Sequence, residues 1–148
     1  MINKYNQLFK ELKEFIVANS NYDTKVVKNY TSTSAYFPII SCSLSNYTDT
    51  DFCTIDMIEK HQEMYLTIDI YTKNKTTGNL SASEIIASQE INDELTELVI
   101  EFLSSKNMKI TLCRLTPNAD TSITRRTIQC QSLVSLARGN IIRRWIYV

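Results

Sequence analysis

Residues that could perform catalysis are sparse in this chain of 148 residues. The single histidine, His61, follows Cys53 in the sequence, and a cysteine and a histidine can act together as a nucleophile and its base. The two could meet across a loop, but their spacing does not favour this over a solvent-exposed histidine at the start of a strand. We therefore predict that the protein is not an enzyme.

The sequence also lacks the patterns that hold metal ions and cofactors. Asp49, Asp51 and Asp56 miss the fixed alternation and the glycine of a calcium loop. The four cysteines contain no closely spaced pair and are accompanied by one histidine, which argues against a zinc site. The two glycines are isolated from each other, so they cannot form a glycine-rich phosphate loop. We expect neither a metal nor a cofactor.

Charge is the strongest remaining signal, because the net charge is zero but its distribution is uneven. Residues 49–101 contain 12 acidic residues and three lysines, whereas all six arginines occur at or after Arg114, where only Asp120 opposes them. Separated blocks suit an acidic surface that meets a basic surface on a copy of the same chain or on a neighbour. The alternative is an acidic helix and a basic hairpin that are both solvated. The candidate interface residues are Glu90, Asp93, Glu94, Glu97, Glu101, Arg125, Arg126, Arg138, Arg143 and Arg144.

The arginines occur in two adjacent pairs, Arg125–Arg126 and Arg143–Arg144. Successive residues of a strand point to opposite faces of a sheet, so each pair places one arginine on either side. Guanidinium groups can bind protein carboxylates or phosphates. No recognition helix carries this charge, which disfavours sequence-specific DNA reading. A protein contact is the favoured reading, with a solvated ribbon and direct nucleic-acid contact as alternatives.

Two helices are predicted from the spacing of apolar residues. Residues 2–17 place apolar side chains three and four positions apart, which is typical of an amphipathic helix. A second helix is predicted from Ser81 to about Ser104. It opens with a capping box, Ser81-Ala-Ser-Glu84, and the face predicted to meet solvent is acidic.

Strands are predicted on both sides of the second helix. A short strand is expected near 25–30, and another at 35–44 that lies at an edge or begins at Pro38. Residues 60–72 and 108–115 alternate in polarity, the latter with Met108, Ile110 and Leu112 on one face. A long alternating run begins at residue 122, and 141–148 is expected to return as a last strand after a turn at 138–140. The polar residues 46–59 are expected to form a loop or an excursion.

This order of elements predicts an α+β domain. A mostly antiparallel sheet should carry the N-terminal helix and one long central helix. We expect a single domain over 1–148, with the excursion at 46–59 and a C-terminal β-hairpin at 122–148. No apolar run reaches the roughly 18–20 residues of a membrane span, and the N-terminal residues lack the regions of a signal peptide. We therefore expect a protein made and kept in the cytosol.

Several short motifs occur in a characteristic order. Tyr36-Phe37-Pro38 follows the first helix, and Ile68-Asp-Ile-Tyr-Thr-Lys-Asn74 ends a strand. The acidic helix comes next, and a Pro-Asn-x-Asp-x-Ser-x-x-Arg stretch runs from Pro117 to Arg125. Over most of residues 1–136 the chain resembles the tail terminator, or tail-completion, proteins of tailed bacteriophages and of phage-tail-like particles. It departs from their pattern at 46–59 and in its basic C-terminus.

The resemblance implies a structural virion protein that forms a hexameric ring on the last ring of the tail tube. Such a ring ends tube polymerisation and offers the surface that joins the tail to the head or neck. The implied partners are other copies of the chain and the tail tube protein, with sheath and neck or head-completion proteins as further candidates. DNA would only pass through the channel, and no membrane is involved.

The implied location is a virion or a phage-tail-like particle assembled in the cytoplasm of a bacterial host. Ring closure would use a heterologous contact repeated by six-fold rotation. The alternatives are another ring component of the neck or tail, such as a head-completion or tube protein, or a small cytosolic binding domain.

Overall fold

The computed structural model describes residues 2–29, 36–53, 60–77, 84–118, 120, 122–135 and 141–143. Its two helices are α1 (Ile2–Asn19) and α2 (Ser88–Ser105). Its strands are β1 (Lys25–Val27), β2 (Ile39–Cys53), β3 (Lys60–Thr72), β4 (Lys75–Thr77), β5 (Glu84–Ile86), β6 (Lys109–Thr116), β7 (Thr124–Ser135) and β8 (Ile141–Arg143).

One mixed sheet dominates the fold, with the strand order β1-β2-β3-β7-β6 and with β8 paired to β7. Strands β1 and β2 are parallel, and every other pair in this sheet is antiparallel. Strands β4 and β5 form a separate antiparallel pair. The predicted α+β class, with two helices on a mostly antiparallel sheet, is confirmed. No helix in the described ranges is long and apolar enough to cross a membrane.

The core lies between the two helices and one face of the sheet. Helix α1 contributes Leu12 and Ile16, and helix α2 contributes Leu95, all nearly or fully buried. The strand pattern of β3 is confirmed, because Leu66, Ile68 and Ile70 are buried on the face that meets the helices. We call this the helix side of the sheet and the opposite side the open face, because both described helices pack on the same side.

Ser81 of the predicted capping box lies outside the described residues, and Glu84 does not open a helix. Glu84 lies in β5, whose pairing with β4 takes residues 84–86 out of the helix, and α2 begins only at Ser88. Its N-cap residue, Ala87, makes no side-chain capping hydrogen bond. Instead Asn74, just after β3, accepts a hydrogen bond from the Ser88 amide at 2.8 Å. A distant side chain thus satisfies one of the amides that a helix start leaves unpaired.

Replacing Asn74 with alanine is therefore expected to lower the free energy of unfolding by about 1 kcal/mol, as for loss of an N-terminal cap. Urea unfolding followed by circular dichroism measures this change. Asn21→Ala alters an exposed asparagine before β1 and serves as the matched control. Equal stability of the two variants would show that Asn74 does not support the start of α2.

In the segment predicted as a loop or an excursion at 46–59, residues 46–53 belong to a strand. Strand β2 continues to Cys53 and pairs with β3 in an antiparallel register, with shifts after Leu44 and after Asp49. Residues 54–59 lie outside the described part. The sequence is polar here, but its threonines and tyrosine suit a strand, and β3 supplies the backbone partners.

Two other local expectations have mixed outcomes. Strand β2 begins directly after Pro38, which follows a cis peptide bond, so the predicted start at the proline is confirmed. In β6 the register shifts between Ile110 and Leu112, so that Leu112 pairs with Gln129 of the open face. The predicted common face of Met108, Ile110 and Leu112 is therefore wrong, because a β-bulge adds one residue and reverses the alternation.

Candidate functional site

The two polar motifs at residues 68–74 and 117–125 meet at one end of the sheet. Strands β3 and β7 pair antiparallel, with Thr72 opposite Thr124 and Ile68 opposite Ile128. The last residues of β3 therefore lie beside the first residues of β7, although about 50 residues of chain separate them. Side chains from both motifs form contacts on the two faces of this end, which we call the motif corner.

On the open face, the motif corner holds Arg125 in place through Asp69. The Asp69 Oδ1 atom accepts hydrogen bonds from Arg125 Nε at 3.2 Å and from Thr127 Oγ1 at 2.6 Å. The guanidinium carbon of Arg125 also lies 5.4 Å from the centre of the Tyr71 ring. These contacts fix the orientation of the guanidinium group, and the terminal Nη atoms donate to no residue that the structure describes.

The charge of Arg125 is preserved in this setting. Burial alone would lower its pKa, but the hydrogen bond and the negative charge of Asp69 raise the pKa above its ordinary value. The Arg125 side chain is 30% exposed, whereas Asp69 is only 14% exposed. The structure therefore presents to solvent a charged guanidinium whose supporting carboxylate is shielded.

On the helix side, Arg126 forms an ion pair with a residue of the same chain. Its Nη2 atom lies 2.6 Å from Asp93 Oδ1 of α2, and its buried Nε atom has no hydrogen-bond partner among the described residues. The expectation that neighbouring arginines point to opposite faces is thus met for this pair. Because Arg126 and Asp93 already bind each other, they are poorer candidates for an intermolecular contact than Arg125.

A buried polar cluster joins α2 to the same corner. The Asn92 amide nitrogen is within hydrogen-bond distance of Ile70 O at 3.0 Å, Thr124 O at 3.3 Å and Thr72 Oγ1 at 3.4 Å. Thr72 in turn donates to Ser88 O at 2.7 Å, and the Ser88 and Thr124 hydroxyl groups are hydrogen-bonded. This cluster fixes the start of α2 against β3 and β7.

Four glutamates form a stripe along the solvent side of α2. Glu90, Glu94, Glu97 and Glu101 follow one another at spacings of four, three and four residues, which keeps them on one helical face. The buried residues Ile91, Leu95 and Val99 occupy the opposite face. We call these glutamates the acidic stripe, and it points away from the sheet.

The acidic stripe has few compensating charges among the residues that the structure describes. The last turn of α2 contains no basic residue, and no described residue forms an ion pair with any of the four glutamates. Like charges three or four residues apart destabilise a helix by about 0.2–0.5 kcal/mol per pair. Tyr22 borders the stripe, and burial together with a hydrogen bond to Glu94 raises the pKa of Tyr22 to about 12. The stripe is therefore an acidic surface whose like charges repel one another along the helix.

The open face is polar and bears positive charge. A shallow groove crosses it and is lined mainly by hydroxyl and amide side chains, among them Ser45, Thr67, Thr111, Gln129 and Gln131. No other layer of the described fold packs on this face. The groove leads along β7 towards Arg125 at the motif corner.

Arg114 is an open-face arginine that the sequence analysis did not select. It lies in β6 opposite Thr127, the residue that donates to Asp69, and its side chain is exposed. The structure gives Arg114 no ion pair with a described residue. Its position in an arginine-rich half of the chain was visible in the sequence, but its face depends on the bulge in β6.

The remaining sequence candidates lie in other strands or outside the described residues. Arg143 has its backbone in β8, opposite Leu133, while Arg138 and Arg144 lie outside the described residues. The register places Cys53 opposite Lys60 and His61 opposite Ser135, so backbone pairing does not make Cys53 and His61 partners. In the ranges that the structure covers, no three histidine, cysteine or acidic residues are grouped as a metal site would need.

Comparison with protein-family models and with curated proteins found no match to the chain.

Proposed function

We propose that this protein is a ring-forming structural component of a phage tail or phage-tail-like particle, in the position of a tail terminator. Copies of the chain join head to tail, the ring binds the end of the tail tube, and further addition of tube subunits stops. The opposite face of the ring then serves as the surface for a neck or head component.

The observation that carries this proposal is the placement of opposite charges on opposite sides of one subunit. The acidic stripe points away from the sheet on the helix side, and Arg114 and Arg125 lie on the open face. A single chain cannot bring these surfaces together, but two copies in the same orientation can. A heterologous contact of this kind generates a ring when its rotation closes.

The uncovered sheet supports the same reading. Only the helix side of the sheet is covered by described elements, so the polar open face is accessible to a second copy of the chain. Helix α2 of a following copy would cover the open face and place acidic side chains against basic ones. The repeated arrangement would alternate sheet and helix layers around the ring.

Two measurements test the proposal. Light scattering coupled to size-exclusion chromatography should give a ring of about six subunits for the purified chain, and negative-stain microscopy should show a central hole. Added to purified tail tubes, gold-labelled protein should mark tube ends and not tube sides. A strict monomer at high micromolar concentration that leaves tube ends unmarked would overturn the proposal.

A different ring component of the neck or tail is the second candidate. It is favoured by the same charge separation, because a head-completion or tube protein also assembles by head-to-tail contacts. The tube-end assay separates these functions. A ring that forms but never marks tube ends identifies a different position in the particle.

A further inference from the structure

We infer that Arg114 and Arg125 form a two-pronged receptor for Glu97 and Glu101 of the next copy of the chain. This inference rests on the proposed head-to-tail ring and names the side chains that join its subunits. It selects two arginines of the open face and leaves Arg126 in its contact with Asp93.

The two arginines are neighbours on the open face. Arg114 of β6 is opposite Thr127 of β7, and Arg125 stands two residues from Thr127 on the same face. Arg114 and Arg125 are therefore diagonal neighbours on adjacent strands, for which Cα atoms lie about 7–8 Å apart and Cβ atoms somewhat closer. Both guanidinium groups project from the same side of the sheet.

The two acceptor glutamates are neighbours on α2. Glu97 and Glu101 are four residues apart on α2, which places their Cβ atoms about 5–6 Å apart on one helical face. Both are exposed. Two carboxylates at this separation match two arginines on adjacent strands, because the long side chains span the difference between the two Cβ–Cβ spacings.

The Arg125 guanidinium is held in place before any partner binds. Asp69 accepts a hydrogen bond from its Nε atom, and its guanidinium carbon lies 5.4 Å from the centre of the Tyr71 ring, while both Nη atoms have no described acceptor. A guanidinium already fixed in one orientation loses less freedom on binding, and its Nη atoms can bind a carboxylate through two parallel hydrogen bonds. Arg114 supplies a second positive charge without a described carboxylate partner.

The described carboxylates of the open face do not compete strongly for the arginines. Among the described open-face side chains, the carboxylates are Asp69 and Glu63. Asp69 is bonded to Arg125 and Thr127, and Glu63 accepts a hydrogen bond from Tyr65. A carboxylate partner is preferred to a nucleic-acid phosphate because the same chain carries an acidic stripe that forms no ion pair with a described residue.

Charge exchange at one contact tests the inference. Arg114→Glu and Glu97→Arg each change an exposed side chain without a described ion pair. Each substitution alone is expected to weaken subunit association about tenfold or more, and the two together in one chain are expected to restore most of it. Glu14→Arg on the exposed side of α1 is the matched control and should associate as the unchanged protein does. Sedimentation equilibrium measures association, and circular dichroism checks that each variant is folded.

The remaining outcomes are also decisive. Arg125→Gln should weaken association and reduce its dependence on salt. If the unchanged chain forms rings but these variants associate normally, the receptor is wrong while the ring stands. If the unchanged chain is a monomer, the ring itself is wrong. The Arg114→Glu and Arg125→Gln variants could instead form normal rings but lose binding to a fluorescent DNA duplex. That result would assign the arginines to phosphate contact and overturn the inference.

Discussion

Replacing Asn92 with leucine is expected to lower the free energy of unfolding by about 3 kcal/mol. The side chain is completely buried, and its amide nitrogen is shared among the backbone carbonyls of Ile70 and Thr124 and the hydroxyl of Thr72. Leucine has a similar size but no donor, so the substitution leaves polar atoms without their partner in a buried site. The loss of hydrogen bonds, not of packing, dominates the effect.

Urea unfolding at neutral pH measures the change in Asn92→Leu. Asn21→Leu is the control, because Asn21 is exposed before β1 and the substitution is chemically the same. We expect the control to remain within about 0.5 kcal/mol of the unchanged protein, as is usual for surface positions. A loss below that value in Asn92→Leu would mean that the cluster does not fix α2 to the sheet.

The protein is also expected to lose stability steeply in alkali, because buried thiol and phenol groups are held in their neutral forms. Burial raises the pKa of Cys42 to about 12 and also raises the pKa of Cys130. Burial, followed by the nearby Cys42 thiol, raises the pKa of Tyr5 to about 12, and the Tyr5 hydroxyl donates to Cys42 O at 2.7 Å. In each case the folded pKa lies above that of the unfolded chain.

The sign of the effect follows from proton binding. As the pH rises through the ordinary pKa values of thiols and phenols, the unfolded chain loses protons first and is stabilised relative to the folded one. The contribution of these groups is complete below about pH 8 and declines as the pH rises towards about 12, by roughly 1.4 kcal/mol per pH unit for each titrating group. The two thiols together should therefore lower the free energy of unfolding by roughly 3 kcal/mol per pH unit.

Urea unfolding under reducing conditions at several alkaline pH values measures this slope. The double variant Cys42→Ala with Cys130→Ala should be less stable at neutral pH but should show a shallower decline in alkali. Cys113→Ser is the control, since Cys113 is an exposed free cysteine and its loss should leave the slope unchanged. A slope that is the same in the double variant and in the unchanged protein would contradict the explanation.

Periodicity in the sequence was sufficient where one face of an element is apolar. The apolar stripe of α1 and the alternation of β3 identified buried residues such as Leu12 and Ile68 correctly. Burial of such faces is the main favourable contribution to folding, so these patterns are strongly constrained. The separation of acidic and basic residues was equally visible and led to the acidic stripe and to Arg125.

Local signals failed where a tertiary partner outweighed them. Ser81-Ala-Ser-Glu84 has the form of a capping box, yet Glu84 pairs in β5 and the amide of Ser88 is satisfied by Asn74. The polar residues after Leu44 lacked a clear period, yet β3 extends their strand by backbone pairing. Hydrogen bonds between segments distant in sequence leave no pattern at the positions that receive them.

By itself the sequence determined the class of the fold, the core faces of α1 and β3, and the uneven charge along the chain. Only the tertiary structure decided how that charge is used. Pairing of β3 with β7 placed Asp69 beside Arg125, packing of α2 placed Asp93 beside Arg126, and the bulge in β6 turned Arg114 to the open face. The physical reason is that charge is a property of single residues, whereas availability for binding depends on neighbours brought together by strand register and helix packing.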